Sequence, residues 1–220
     1  MRHQRGFGLL EGNLALALGL VLLAAASQVT ISVHQSWQLQ QASARLQDDA
    51  RLALQRLALD LRMTGMFGCL HLGADAFADP AAAQAFARPL ELLKAGDGRL
   101  LSLSLISAGL PAAARRPDWT VATDCRTWAR VHDKHHTARE GELALPIRRQ
   151  VYRLVGDRLL LSSGGNTSAL IDQVRDLRIT RQAHGERQWI DVQLTLFDAH
   201  RGIEQRYDLS VTLRNRLPGA

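Results

Sequence analysis

The feature that most constrains this chain is an apolar run that begins almost at its N-terminus and contains one carboxylate. From Phe7 to Val33 the residues are nearly all apolar or small, and the densest part, Leu14 to Ala26, has no charge. Phe7 to Ala26 alone reaches the roughly 20 residues that a helix needs to cross a hydrocarbon core. Between Phe7 and Gln41 the only fully charged side chain is Glu11, with His34 as a possible addition. An ionised group in a bilayer costs several kcal/mol, roughly 2.5–3.5 on insertion scales, so it is rare and normally has a partner. Arg2, His3 and Arg5 precede the run, and the next firm positive charge is Arg45. The positive-inside bias therefore expects a cytoplasmic N-terminus and an exported remainder.

A cleaved secretory signal would also have a basic start and an Ala24-Ala25-Ala26 site before Ser27. Two features weigh against it. Glu11-Gly12-Asn13 interrupts what should be an unbroken apolar core, and helical patterning continues through the supposed cut. Beyond the span, Leu39, Ala42, Leu46, Ala50, Ala53, Leu57 and Leu61 recur at steps of three and four, with Leu54 and Ala58 widening the stripe. No glycine or proline interrupts Leu20 to Thr64, and Gly65 is placed to end the helix near Arg62. One helix from about Phe7 to Thr64 would be on the order of 85 Å long, too long to bury in one small domain. Its first half belongs in lipid or a helical bundle, and its second half needs a globular partner.

That partner is legible downstream. Leu70 to Arg99 reads as loop with a short helix near Ala81–Ala87, because Asp79-Pro80 and Arg88-Pro89 punctuate it. Leu101, Leu103 and Leu105 alternate with serines, and Leu143, Leu145 and Ile147 alternate later. Pro111 to Trp128 reads as irregular. Gln150–Val155 and Arg158–Ser162 flank Gly156-Asp157, a hairpin signal. Val174, Leu177 and Ile179 lead to a turn at His184-Gly185-Glu186. The clearest pair is Ile190, Val192, Leu194, Leu196 and then Tyr207, Leu209, Val211, Leu213, each set on one face of a strand. An antiparallel sheet with one apolar face requires cover, and the helix stripe supplies it. The expected class is α+β, a long N-terminal helix on an antiparallel β-sheet head.

Two stretches carry a family resemblance. Arg5-Gly6-Phe7-Gly8-Leu9-Leu10-Glu11 resembles the prepilin signal of type IV pilins and of the pseudopilins of type II secretion. The resemblance implies cleavage between Gly6 and Phe7 by a prepilin peptidase that also methylates Phe7, and a role for Glu11 in pairing with a neighbouring subunit's terminal amine during assembly. Gly8 and Gly12 depart from the usual pattern, where a hydroxyl residue and a large apolar residue stand. The second stretch, Ala53 to Cys69, contains Leu57-Ala58-Leu59-Asp60-Leu61-Arg62 and Gly65-Met66-Phe67-Gly68-Cys69, and is similar to the helix end of PilW-class minor pilins. Thr64 and Met66 stand where that class has a small residue and an aromatic. Val211 to Arg216 also resembles the tail of PilW- and PulJ-like proteins.

The implied organisation is a leader (1–6), a transmembrane or filament-core half-helix (7–33), an amphipathic half-helix (34–64) and a periplasmic β-rich head (65–220). The implied setting is a single pass through the inner membrane, followed by entry into a pilus, with its tip as one position. Other minor pilins, the major pilin, the prepilin peptidase and the inner-membrane assembly platform are the implied partners. A minor pseudopilin of type II secretion is the alternative within this class. Cys69 and Cys125 lie beyond the span; in an oxidising periplasm they are expected to bridge, two unpaired thiols being the alternative.

The remaining residues offer little chemistry. His132, Asp133, His135 and His136 form the densest ligand-like group, but without helical period they read as a hydrated loop, so no metal and no cofactor is expected. Nucleophile elbows, phosphate loops and zinc-protease motifs are missing, and no enzyme is expected. A net charge of +6 would suit a membrane-anchored DNA-binding module, a reading from another class. In sequence, however, Arg115-Arg116 and Arg148-Arg149 are isolated pairs, which favours an ordinary solvated surface.

Overall fold

A computed structural model describes residues 8–109, 116–185, 187–215 and 217. Gly6 and Phe7, the proposed cleavage pair, lie outside the described residues, as do the rest of the leader, Leu110–Arg115, Glu186 of the expected turn, and Arg216. Helix α1 runs without a break from Leu9 to Met63. The chain divides into two compact units within it, Met1–Arg45 and Leu46–Ala220.

In the first unit the helix presents its apolar side chains outward: Leu14, Leu16, Leu18, Leu20, Val21, Leu22 and Leu23 are all more than half exposed. Length and composition suffice to cross a membrane. The hydroxyls embedded in this stretch are satisfied internally. Ser27 Oγ donates to the Ala24 carbonyl (2.8 Å), Thr30 Oγ1 to Ala26 (2.9 Å) and Ser32 Oγ to Val29 (2.9 Å). Back-bonding of this kind removes free donors that hydrocarbon could not accommodate.

In the second unit the stripe of α1 is buried from Leu46 onward. Leu46, Ala50, Ala53, Leu57 and Leu61 are each at most 2% exposed. Leu39, which the periodicity places on the same stripe, is instead 49% exposed. Two sheets provide the cover, rather than one. Strands β1 (Leu90–Lys94), β2 (Leu100–Ala108), β3 (Trp119–Thr123), β4 (Ala129–Asp133), β5 (Leu143–Val155), β6 (Arg158–Ser163) and β7 (Asn166–Ile171) form a seven-stranded antiparallel sheet. Strands β8 (Val174–His184), β9 (Arg187–Asp198) and β10 (Ile203–Thr212) form a three-stranded one with β9 central. The alternation in β9 resolves as expected: Ile190, Val192, Leu194 and Leu196 are buried and pair across to Val211, Leu209, Tyr207 and Gln205. The α1 stripe joins these residues, Leu103, Leu105, Leu177 and Ile179 in one core. Burying each leucine contributes about 1.5–3 kcal/mol, so the stripe fixes the helix to the head.

β5 is one 13-residue strand where the sequence suggests two, and it forks its sheet. One edge pairs with β2 over Ile147–Arg153. The other edge pairs first with β3 (Leu143–Ile147) and then with β6 (Gln150–Val155). Part of the Pro111–Trp128 stretch is therefore strand β3. Its alternation is hidden because Thr120 and Thr123 are buried; their hydroxyls donate to the carbonyls of Lys134 (2.6 Å) and Trp128 (2.7 Å). The Leu70–Arg99 loop also contains β1. The short helix α2 spans Pro80–Ala87, started by Asp79, whose Oδ1 accepts from Ala81 N (2.9 Å), and by Pro80 in the first turn.

A smaller core of Phe86, Ile106, Val121, Val131 and Ile147 lies beyond the helix end. Phe86 is its hub, with ring centroids 4.5 Å from Phe67, 5.3 Å from Phe77 and 5.5 Å from Trp119. A disulfide between Cys69 and Cys125 ties the chain after α1 to the β3–β4 turn.

Candidate assembly surface

Glu11 stands in the first turn of α1, exposed, where Glu11 N and Gly12 N both donate to the Gly8 carbonyl (3.0 and 3.2 Å). A carboxylate there is favoured by the positive end of the helix dipole. Among the described residues nothing lies within 4 Å of a Cβ built on Gly8 or Gly12, so no contact there explains those two glycines.

The run that ends α1 is held by contacts the sequence does not reveal. Asp60 is 9% exposed and accepts from Arg56 Nε (2.9 Å) and, through the same Oδ2, from the hydroxyl of Tyr152 on β5, 92 residues away. Burial, followed by the charge of Asp60, pushes the Tyr152 phenol well above its usual range, so it remains a donor. Thr64 Oγ1 donates to the Asp60 carbonyl (2.8 Å), and Asn215 Nδ2, from the C-terminal tail, donates to the Thr64 carbonyl (2.9 Å). Gly65 follows with φ +77°, its N–H donating to the Ile106 carbonyl (3.0 Å). The positive φ favours glycine, and a Cβ there would lie 2.7 Å from Leu217 Cδ2, so the end of that side chain would have to shift. Tyr152 and Asn215 escaped sequence reasoning. The available signal was a tyrosine on the inward phase of a strand, which needs a buried acceptor for its hydroxyl.

The histidine group is not a hydrated loop throughout. His132 on β4 and His136 stack with ring centroids 4.0 Å apart and planes 6° from parallel, both half-buried, and His136 Nε2 lies 3.6 Å from Glu142 Oε2. Burial, then the neighbouring His136, pushes the His132 imidazole below its usual value. Asp133 and His135 line a separate cavity, and His135 also shares a smaller one with His136. Among the described residues no three metal-ligating side chains converge.

Residues 1–27 match the family described as the prokaryotic N-terminal methylation motif. No curated protein and no solved structure matches the chain. The motif, with a long apolar N-terminal helix packed on antiparallel sheets, supports a type IV pilin-like protein. The motif supports a pilin or a pseudopilin and implies processing by a prepilin peptidase, and with the apolar helix α1 it points to membrane anchoring.

Proposed function

We propose that the chain is a PilW-like minor pilin that acts in type IV pilus assembly as a structural and priming subunit, together with other minor pilins and the major pilin. It supports the motility, adhesion or DNA uptake that depend on the fibre. The observation that carries this reading is the methylation motif over residues 1–27 leading directly into a helix that continues to Met63. The second resemblance adds weight, because Asp60, Gly65 and Cys69 each have a distinct part in closing the head onto α1. On this reading cleavage falls between Gly6 and Phe7, Phe7 is N-methylated, and Glu11 meets the terminal amine of a neighbouring subunit. A carboxylate carried into hydrocarbon or a packed fibre core needs such a partner.

N-terminal analysis of the mature protein tests the processing step: a methylated Phe7 start is expected, and a Ser27 start would overturn it. Glu11→Ala is expected to leave cleavage intact while at least tenfold less protein enters sheared fibres; normal incorporation would remove the assembly role. Deleting the gene should abolish surface pili and spare protein secretion. The opposite pattern would assign the chain to a type II secretion pseudopilus.

A further inference from the structure

The fork in the large sheet brings to one cavity Arg116 and Arg149, one from each of two arginine pairs that look isolated in sequence. On the edge of β5 that carries β3 and then β6, Arg148 and Arg149 fall between the two partners and face no strand. Asp118 fills part of the gap. Its N–H donates to the Ile147 carbonyl (3.0 Å) and its Oδ2 accepts from Arg149 N (2.7 Å), so this carboxylate is already committed to the backbone. What stays open is a cavity of about 490 Å³, within the size range of small-molecule sites. The β6–β7 turn closes it on the far side: a Cβ on Gly164 would come within 3.2 Å of the Arg116 carbonyl.

Three cations line this cavity, and two of them are held in place. The Arg149 guanidinium lies 5.2 Å from the centroid of Trp119, whose ring is in turn anchored edge-on against Phe86. Cation–π attraction holds the guanidinium over the indole, and Arg149 remains exposed to solvent. Lys134 has φ +58°, a conformation costly for a residue with a Cβ, and is held there by two bonds: its N–H to the Asp118 carbonyl (3.0 Å) and its own carbonyl to the Thr120 hydroxyl (2.6 Å). Arg116 is exposed at the mouth. Neither Arg116 nor Lys134 has an ion-pair partner among the described residues. Asp133, also on the wall, is the one carboxylate not so committed.

We propose that this fork binds single-stranded nucleic acid, one nucleotide seating its base on the Arg149–Trp119 stack and its phosphates on Arg116 and Lys134. A planar cation backed by an aromatic ring offers a face to any nucleobase, and flanking point charges follow the backbone. A duplex keeps its bases inside the stack and cannot offer one to the platform. An acidic sugar has no aromatic face to lay on this platform.

The test uses the full chain in detergent micelles and the fluorescence anisotropy of a labelled 12-mer of deoxythymidine at 100 mM salt. Arg149→Ala is expected to weaken binding about tenfold, in keeping with the loss of one stacked base. Arg149→Lys, which keeps the charge and loses the plane, should fail to restore it. Arg116→Ala with Lys134→Ala should flatten the dependence of log K on log salt by about 1.4, two phosphate contacts' worth. Arg187→Ala, on the other sheet, should bind as wild type. Absence of binding, equal binding of a duplex or an oligoglucuronate, or wild-type affinity in Arg149→Ala would overturn the proposal.

Discussion

Tyr152→Phe is the most informative single change, because it deletes one oxygen from the contact that locks α1 to the large sheet. Tyr152 is 1% exposed and its hydroxyl donates to Asp60, whose other donor, the cationic Arg56, keeps 46% of its side chain in solvent. The two donors to Asp60 therefore differ in value. An i,i+4 ion pair whose cation stays nearly half in solvent is screened and stabilises by about 0.3–0.5 kcal/mol. A buried hydrogen bond to a charged acceptor stabilises by about 1.5–3 kcal/mol, and its removal leaves a carboxylate oxygen short of a partner. Tyr152→Phe is thus expected to cost about 2 kcal/mol, and Arg56→Ala about 0.5. For a head of this size 2 kcal/mol lowers the melting temperature by about 4–8 °C. The assay is thermal unfolding of the full chain in micelles, followed by near-ultraviolet circular dichroism, with Asp60→Asn and the double variant completing a cycle. A coupling energy above about 0.5 kcal/mol is expected. If Arg56→Ala cost as much as Tyr152→Phe, or if Tyr152→Phe and Asp60→Asn were additive, burial would not be what gives this contact its strength.

Further outcomes follow from other contacts. Asp198 is buried beside the β9–β10 turn; burial raises its carboxyl, but bonds from the Arg201 side chain and from the Arg201 and His200 backbone outweigh this and hold it below the usual value. A lowered folded pKa gives stability that is present above the unfolded value near 3.9 and is lost as pH falls through the folded one. The stability gap between wild type and Asp198→Asn should therefore be full at pH 6 and shrink below about pH 4 in parallel melts. Gly65→Ala should destabilise by about 1–3 kcal/mol through backbone strain and the clash with Leu217, whereas Gly96→Ala, with open space around it, should stay within about 0.5 kcal/mol; equal effects would refute the geometric reading. Cys69→Ser with Cys125→Ser releases a loop of 56 residues' separation and should cost up to about 4 kcal/mol in the chain-entropy account, read as a lower urea midpoint under non-reducing conditions.

Most of the helix and the C-terminal strands could be read directly, since their information is local. A period of 3.6 along Leu46–Leu61 and a period of 2 along Ile190–Leu196 each arise from one buried face. The weaker strands could not. β7 is exposed from Asn166 to Ala169 and has no alternation to detect, and β3 hides its buried phase behind threonines whose hydroxyls bond locally. β1 is a five-residue edge whose pattern is too short to stand out from its loop.

Local pattern dictates a long N-terminal helix with an apolar first half, an amphipathic second half and an antiparallel partner, because hydrophobic periodicity depends only on neighbours along the chain. The sequence also contained the motif at residues 1–27. Tertiary structure alone decided that β5 forks its sheet, that Tyr152 and Asn215 meet the end of α1, and that Arg116 and Arg149 face one cavity. Those juxtapositions join residues 33 to 151 positions apart. Only the pairing register of the strands and the closing of the helix onto them bring such residues within reach, and no local pattern records that distance.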